Sequence, residues 1–436
     1  MYKELSKELI DFINKSYSCY HVVYNIKELL KEKGYEELLE SKSWNIKEGG
    51  KYFVTRNYSS LIAFCIPKKE FCGFQIMASH SDSPTFKIKN NAEIHVNNKY
   101  VKLNVEKYGG MIMAPWFDRP LSVAGKIVIE TEKGIQSKLI NVDRDLLLIP
   151  NLAIHMNRKV NEGYVYNAQV DMLPLYGGDK AKDTFIDIIA KTANIQKEKI
   201  IDTDLFLYNR TPGTIWGAKE EFISCPKLDD LQCAFATLKG FLDSDNKETV
   251  PVYCVFDNEE VGSTTKQGAA STFLKDILVR INMSLNRTRE EYFMALSSSM
   301  MVSADNAHAV HPNYEGKADP TNRPYINDGI VIKYDARQKY TTDSVSGALF
   351  KEICKRADVP YQIFYNRSDV QGGSTLGNIS NTQVSLNTVD IGLPQLAMHS
   401  PYETAGVKDT YYLAKAAREV FSSSVIMEEE GCFQIV

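Results

Sequence analysis

Residues 76–84 read IMASHSDSP, and this short polar cluster is the first place in the chain where chemistry suggests itself. An apolar run, Phe74-Gln75-Ile76-Met77, delivers His80, Ser81 and Asp82 just past what reads as the end of a buried strand. In an open α/β sheet that carboxyl edge is where ligands sit. An imidazole there can ligate a metal, and an aspartate two residues on can hold the imidazole in one tautomer. Taken alone, His-x-Asp after a strand is an ordinary surface turn. The pattern gains weight because it recurs at four later places. Leu228-Asp229-Asp230 opens a helical stripe, where either aspartate would also serve as an N-cap. Phe256-Asp257-Asn258-Glu259-Glu260 follows the most apolar strand of the chain, and Val302-Ser303-Ala304-Asp305 ends another, ahead of His308 and His311. Leu396-Ala397-Met398-His399 ends the last strand, with Glu403 four residues on.

Carboxylates and imidazoles gathered at strand ends suit a pair of divalent ions such as Zn²⁺, Mn²⁺ or Co²⁺, while the lack of clustered thiolates argues against a structural zinc ribbon. Two ions about 3.5–4 Å apart can lower the pKa of water and hold an oxyanion. Such a centre needs a bridging carboxylate, terminal ligands for each ion, and one unligated carboxylate as general base. Glu259 and Glu260 can divide the last two duties, because adjacent side chains on an extended loop point different ways. The chain has no P-loop, no GxSxG elbow and no HExxH helix.

The elements that must position these residues are legible in the periodicity. Leu5, Leu9, Phe12 and Ile13 recur at helical spacing, as do Val22, Val23, Ile26, Leu29 and Leu30, ahead of Gly34. Residues 52–57, 60–67 and 74–78 read as strands. From about 86 to 207 short β-rich pieces separated by turns take over, with a helical pattern only at 183–191. From about 215 helices (229–242, 269–282, 342–356) alternate with strands (250–256, 300–303, 360–365, 383–390, 395–398). This predicts an α/β fold: a mostly parallel central sheet flanked by helices, with an inserted β-rich domain. The expected division is a catalytic domain of residues 1–88 and 214–436 and an insertion of 89–213. With 436 residues, 44% hydrophobic and 24% charged, the chain can bury a sizeable core. A net charge of -4 with scattered Lys and Arg argues against nucleic acid or anionic membrane as partners. The eight cysteines show no CxxC, the amino terminus is an amphipathic helix rather than a signal peptide, and no apolar run could span a bilayer; the expected location is cytoplasmic.

The motifs IMASHSDSP, KLDDLQCAFATL, FDNEEVGS, SADNAHAVHPNY and LAMHSPYE, in that order, resemble the M18 metallo-aminopeptidases, the aspartyl aminopeptidase and aminopeptidase I group with a di-zinc exopeptidase fold. The resemblance extends to WFDRPLSVAG at 116–125, PNLAIHMNR at 150–158 and DVQGGSTLG at 369–377. It implies two divalent ions per subunit, zinc first, with His80, Asp229 and Asp305 as ligands of one and Asp229, Glu260 and His399 as ligands of the other. Asp82 would orient His80, Glu259 would be the general base, and Asp230 would stand behind the ligands. It further implies that Lys333 recognises an acidic first side chain, that Gly373 and Ser374 contact substrate, and that His155 reaches a neighbouring subunit's site. As lone residues, Lys333 would read as a solvated strand-end lysine and His155 as a satisfied polar side chain. The implied activity is removal of the first residue from small unblocked peptides, with acidic (Asp or Glu) first residues preferred. The implied assembly is a homododecamer built from dimers through the insertion. A Leu-type aminopeptidase of the same family, an amidohydrolase acting on N-acyl amino acids, and a non-catalytic scaffold are the alternatives to be separated.

Overall fold

The computed structural model describes residues 1–436. Its centre is a nine-stranded sheet in which Val250–Phe256, Phe74–His80, Met300–Ala304 and Asn387–Gly392 lie side by side and run parallel. Antiparallel pairings flank this block. Ser60–Cys65 joins one side and Ile330–Tyr334 the other, continuing to Lys51–Arg56 with Glu36–Glu37 and to Tyr361–Tyr365. The sequence explains the burial. Every residue of Phe74–His80 and of Val250–Phe256 is buried, because both faces of the parallel block are covered. Met77, Tyr253 and Val255 point into a core shared with the helices Tyr2–Lys15, Cys19–Glu32, Leu228–Leu242, Ser344–Arg356 and Asp409–Ser422. Their neighbours Ile76, Ala78, Val252, Cys254 and Phe256 point the other way, toward the helices Phe273–Ser284 and Arg289–Ser297. This is the period-two alternation of strands, with both sides apolar.

A second, wholly antiparallel six-stranded sheet is built from strands between residues 85 and 209, with its own core around Phe86, Trp116, Leu121 and Leu207. The helix Phe185–Ala193 packs on it. A small five-stranded sheet carries the turn that bears His399. The chain is thus α/β with mixed sheets.

Several boundaries move from those read in the sequence. The strand expected at 383–390 is Asn387–Gly392, because Leu376–Ser380 forms a short helix and Val384 packs in the core from a turn. The strand expected at 395–398 is Pro394–Leu396 and belongs to the five-stranded sheet, not the central one; Ala397 and His399 both turn to positive φ. The helix read over 269–282 starts later, at Phe273. All eight cysteines are free thiols, and no helix is long and apolar enough to cross a membrane.

Candidate active site

The carboxyl edge of the four parallel strands gathers the residues singled out above. His80 is the last residue of its strand, Asp305 follows the last residue of Met300–Ala304, and Glu259 and Glu260 lie in a single helical turn three residues beyond Val250–Phe256. Asp229 and Asp230 sit at the start of Leu228–Leu242 with non-helical φ/ψ, joined by a cis peptide. Asp229 lies between two imidazoles. Its Oδ1 is 3.4 Å from His80 Nε2 and its Oδ2 is 3.4 Å from His399 Nε2, which is itself 3.4 Å from Glu260 Oε2. Two sets of ligand-type atoms therefore meet at one carboxylate: His80, Asp229, Asp230 and Asp305 on one side, and Asp229, Glu260 and His399 on the other.

The supporting contacts differ in detail from expectation. His80 Nδ1 lies closer to the Asp82 backbone carbonyl, at 3.0 Å, than to the Asp82 carboxylate, at 3.4 Å. The carboxylate has another task. Its two oxygens accept from the Glu259 and Glu260 backbone N–H groups, both at 3.2 Å, and from the Tyr108 hydroxyl at 2.7 Å. Asp230 accepts from the His80 backbone N–H at 3.1 Å. Glu403 was noted in the sequence only for its spacing from His399. It is buried and accepts from the backbone N–H groups of Asp229 at 2.9 Å and His399 at 2.7 Å, tying the shared carboxylate to the imidazole opposite. Glu403 closes the motif that bears His399, but its spacing gives no hint of its bond to Asp229; Tyr108 lies outside every ligand motif, and only the fold brings it in.

The electrostatics ask for cations. Burial first, and then the neighbouring carboxylates, push Glu260, Asp230 and Asp305 above the ordinary carboxylate range and Glu259 up to about 8. Burial would do the same to Asp229, but the imidazoles of His399 and His80 beside it hold it below its usual value. Burial disfavours a charged His80, yet Asp229, Asp230, Asp82 and Glu259 outweigh it and raise its pKa. Asp229 Oδ1 and Glu260 Oε1 are buried with no hydrogen-bond partner, which is costly for carboxylate oxygens. Hard oxygen donors beside imidazole nitrogens, with orphaned oxygens facing inward, fit divalent metal.

Lys333 is buried, not solvated. Its Nζ donates to the Asn306 carbonyl at 2.8 Å and stands 3.9 Å from Asp305 Oδ1. Burial works against its charge, but Asp305 and other neighbours hold its pKa above normal. Gly373 is exposed and Ser374 is half-buried, its hydroxyl donating to Asn378 Oδ1; both stand outside the ligand cluster, on the loop before Leu376–Ser380. His155 is exposed in a turn of the β-rich segment and also stands outside it.

A family model described as "Aminopeptidase I zinc metalloprotease (M18)" matches residues 12–421. A Clostridium acetobutylicum protein named "Probable M18 family aminopeptidase 2" is 50% identical over 430 residues, covering 96% of this chain and 99% of its own. The chain belongs to the M18 family. Among solved M18-like structures, the cryo-EM structure of the Ape4 and Nbr1 complex superposes with a TM-score of 0.93 at 36% identity, over 96% of this chain and 86% of that one. The S. cerevesiae mApe1 dodecamer superposes with a TM-score of 0.84 at 28% identity, over 96% and 97% of the two chains. M18 proteins are zinc metallo-hydrolases acting as aminopeptidases, and the di-zinc exopeptidase fold expected from the sequence is the one this chain adopts.

Proposed function

We propose that the chain removes the first residue of small, unblocked peptides at a centre holding two divalent ions, with Asp229 as the shared ligand. His80 and Asp305 complete one ion's ligands, and Glu260 and His399 the other's. The observation that carries this reading is one carboxylate placed 3.4 Å from the Nε2 atoms of two imidazoles, one oxygen to each. Bound divalent metal, zinc by family and with manganese or cobalt as substitutes, supplies Lewis acidity: it lowers the pKa of water and polarises the scissile carbonyl. The protein's own residues do the rest. The Glu259 carboxylate takes the proton from the attacking water and returns it to the leaving amine. Asp82 fixes the Glu259–Glu260 turn through two backbone N–H groups, and its carbonyl oxygen faces His80 Nδ1, leaving Nε2 to the metal.

Acidic first residues are favoured in this reading because Lys333 places a buried ammonium beside Asp305. Its existing bond to the Asn306 carbonyl is what a neutral-residue preference would instead reflect. Gly373 and Ser374 would contact the substrate backbone. The β-rich segment, about 89–213, would make the dimer contacts, with His155 offered to a neighbouring subunit. Twelve copies would assemble as in the mApe1 dodecamer, in the cytoplasm. A panel of aminoacyl chromogenic substrates, run with Zn²⁺, Mn²⁺ and Co²⁺ after chelation, tests the specificity. Asp and Glu substrates are expected to turn over fastest, and fastest turnover of Leu would transfer the assignment to the neutral class. An N-acetylated peptide should be left intact; its cleavage would point to an amidohydrolase.

A further inference from the structure

The strand Tyr100–Tyr108 of the six-stranded sheet runs out into Gly109, Gly110, Met111 and Ile112. Although this segment belongs to the β-rich part of the chain, four of its residues touch the metal-capable cluster or the side chains that support it. The Tyr108 hydroxyl donates to Asp82 Oδ2 at 2.7 Å and accepts from Asn258 Nδ2 at 2.8 Å. Gly109, at φ +79°, lies against Glu260: a Cβ there would stand 3.1 Å from Glu260 Cβ and 3.5 Å from Oε2. Gly110 lies by the His399 ring, where a Cβ would be 3.8 Å from Nδ1. The Ile112 N–H donates to the His399 carbonyl at 3.1 Å.

We propose that residues 108–112 form a strap that positions both halves of the metal centre, with the Tyr108 hydroxyl as its anchor. The inference rests on the di-metal reading above. The physical argument starts from Glu260, whose Oε1 has no hydrogen-bond partner. The aim of such a carboxylate is set by its main chain. That main chain is held by Asp82, which accepts from the Glu259 and Glu260 N–H groups, and its turn is closed by Asn258, whose carbonyl accepts from the Val261 and Ser263 N–H groups. Tyr108 is the one side chain that bonds to both Asp82 and Asn258. On the opposite side, Gly110 and Ile112 restrain the His399 turn, whose residues Ala397 and His399 adopt positive φ. Tyr108 touches none of the reacting atoms, so it is a positioning residue. Partners of this kind typically contribute ten- to a hundredfold in metal affinity or activity.

Tyr108→Phe is the test, because it keeps the ring that packs edge-on against Phe206 and deletes only the hydroxyl. Zinc affinity by competition with a chromogenic chelator, kcat and KM on an unblocked substrate, and the melting temperature in saturating zinc are measured together. The expected result is a fall of about ten- to a hundredfold in zinc affinity or kcat, with KM and the zinc-saturated melting temperature little changed. Gly109→Ala presses on Glu260 without touching the hydroxyl and should lower the same two quantities. Tyr176→Phe, which removes a hydroxyl bonded to Thr184 in the same segment, should match the wild type. Wild-type zinc affinity and kcat in both Tyr108→Phe and Gly109→Ala, beside an Asp229→Ala control that has lost its zinc, would overturn the strap. An Asp229→Ala protein with full zinc content would instead overturn the metal-centre reading beneath it.

Discussion

At the scale of single residues, the site is shaped by the cost of burying charge. Asp229, Asp230 and Asp305 are buried, and Glu259 and Glu260 half-buried, within reach of two imidazoles; such a group of acids is tolerable only if positive charge sits among them. Glu259 differs from its neighbours in role more than in place. Replacing it by Gln preserves shape and hydrogen-bond reach but removes the ability to accept a proton. Glu259→Gln is expected to keep metal, by elemental analysis, and to lose about 10²–10⁴ in kcat; near-wild-type turnover would show that another group is the base. A second residue-scale expectation concerns stability. His21 is buried in the helix Cys19–Glu32, and burial, followed by the charge of Lys227, lowers its pKa to about 4. Because the folded-state pKa is depressed, its contribution is complete above pH about 6.5 and is lost as the pH falls through about 4, amounting to about 3 kcal/mol at most. Denaturant unfolding of wild type and His21→Gln at pH 7 and pH 4.5 checks this. The acid-induced loss of stability should be smaller in the variant.

At the scale of elements, the helix Leu228–Leu242 has two jobs that meet along its length. Its first residues present Asp229 to the metal cluster, and its later part packs on Asp409–Ser422. Gly240 permits the close approach. A Cβ there would lie 2.5 Å from both the Ala417 Cβ and the Arg418 backbone nitrogen, and 2.8 Å from the Ala414 carbonyl. Gly→Ala in a helix ordinarily gains up to about 1 kcal/mol, whereas overpacking costs about 1–3 kcal/mol. Two of the three contacts are backbone atoms that cannot rotate away, so the cost should win. Gly240→Ala should therefore lower the denaturation midpoint, and an unchanged or raised midpoint would mean the helices can part freely. The same scale explains the shifted boundaries. Residues 395–398 carry strand-like composition, but pairing with Glu403–Gly406 ends the strand at Leu396 and leaves His399 free to turn inward.

At the scale of the whole molecule, assembly is the property with the clearest physical test. The β-rich segment exposes Leu148, Leu152, Ile154, Met156, Val165 and Val170 within a short stretch, apolar side chains that contacts between copies would cover. Light scattering should give a mass near twelve times 49.3 kDa, and a stable monomer would contradict the proposed assembly. What could be known from the sequence were the quantities set by local chemistry. Apolar alternation marked the parallel strands, helical spacing marked their covers, and acids or histidines at strand ends and one helix start marked five clusters, from which the resemblance to M18 motifs picked out His80, Asp229, Glu259, Glu260, Asp305 and His399. Tertiary structure alone decided which side chains serve them. Tyr108 reaches Asp82 from another sheet, Glu403 joins Asp229 to His399, and Lys333 is drawn into the interior beside Asp305. The reason is that a strand's periodicity states which face a residue occupies, while a hydrogen bond between groups far apart along the chain depends on the packing of whole sheets and helices, which no local pattern encodes.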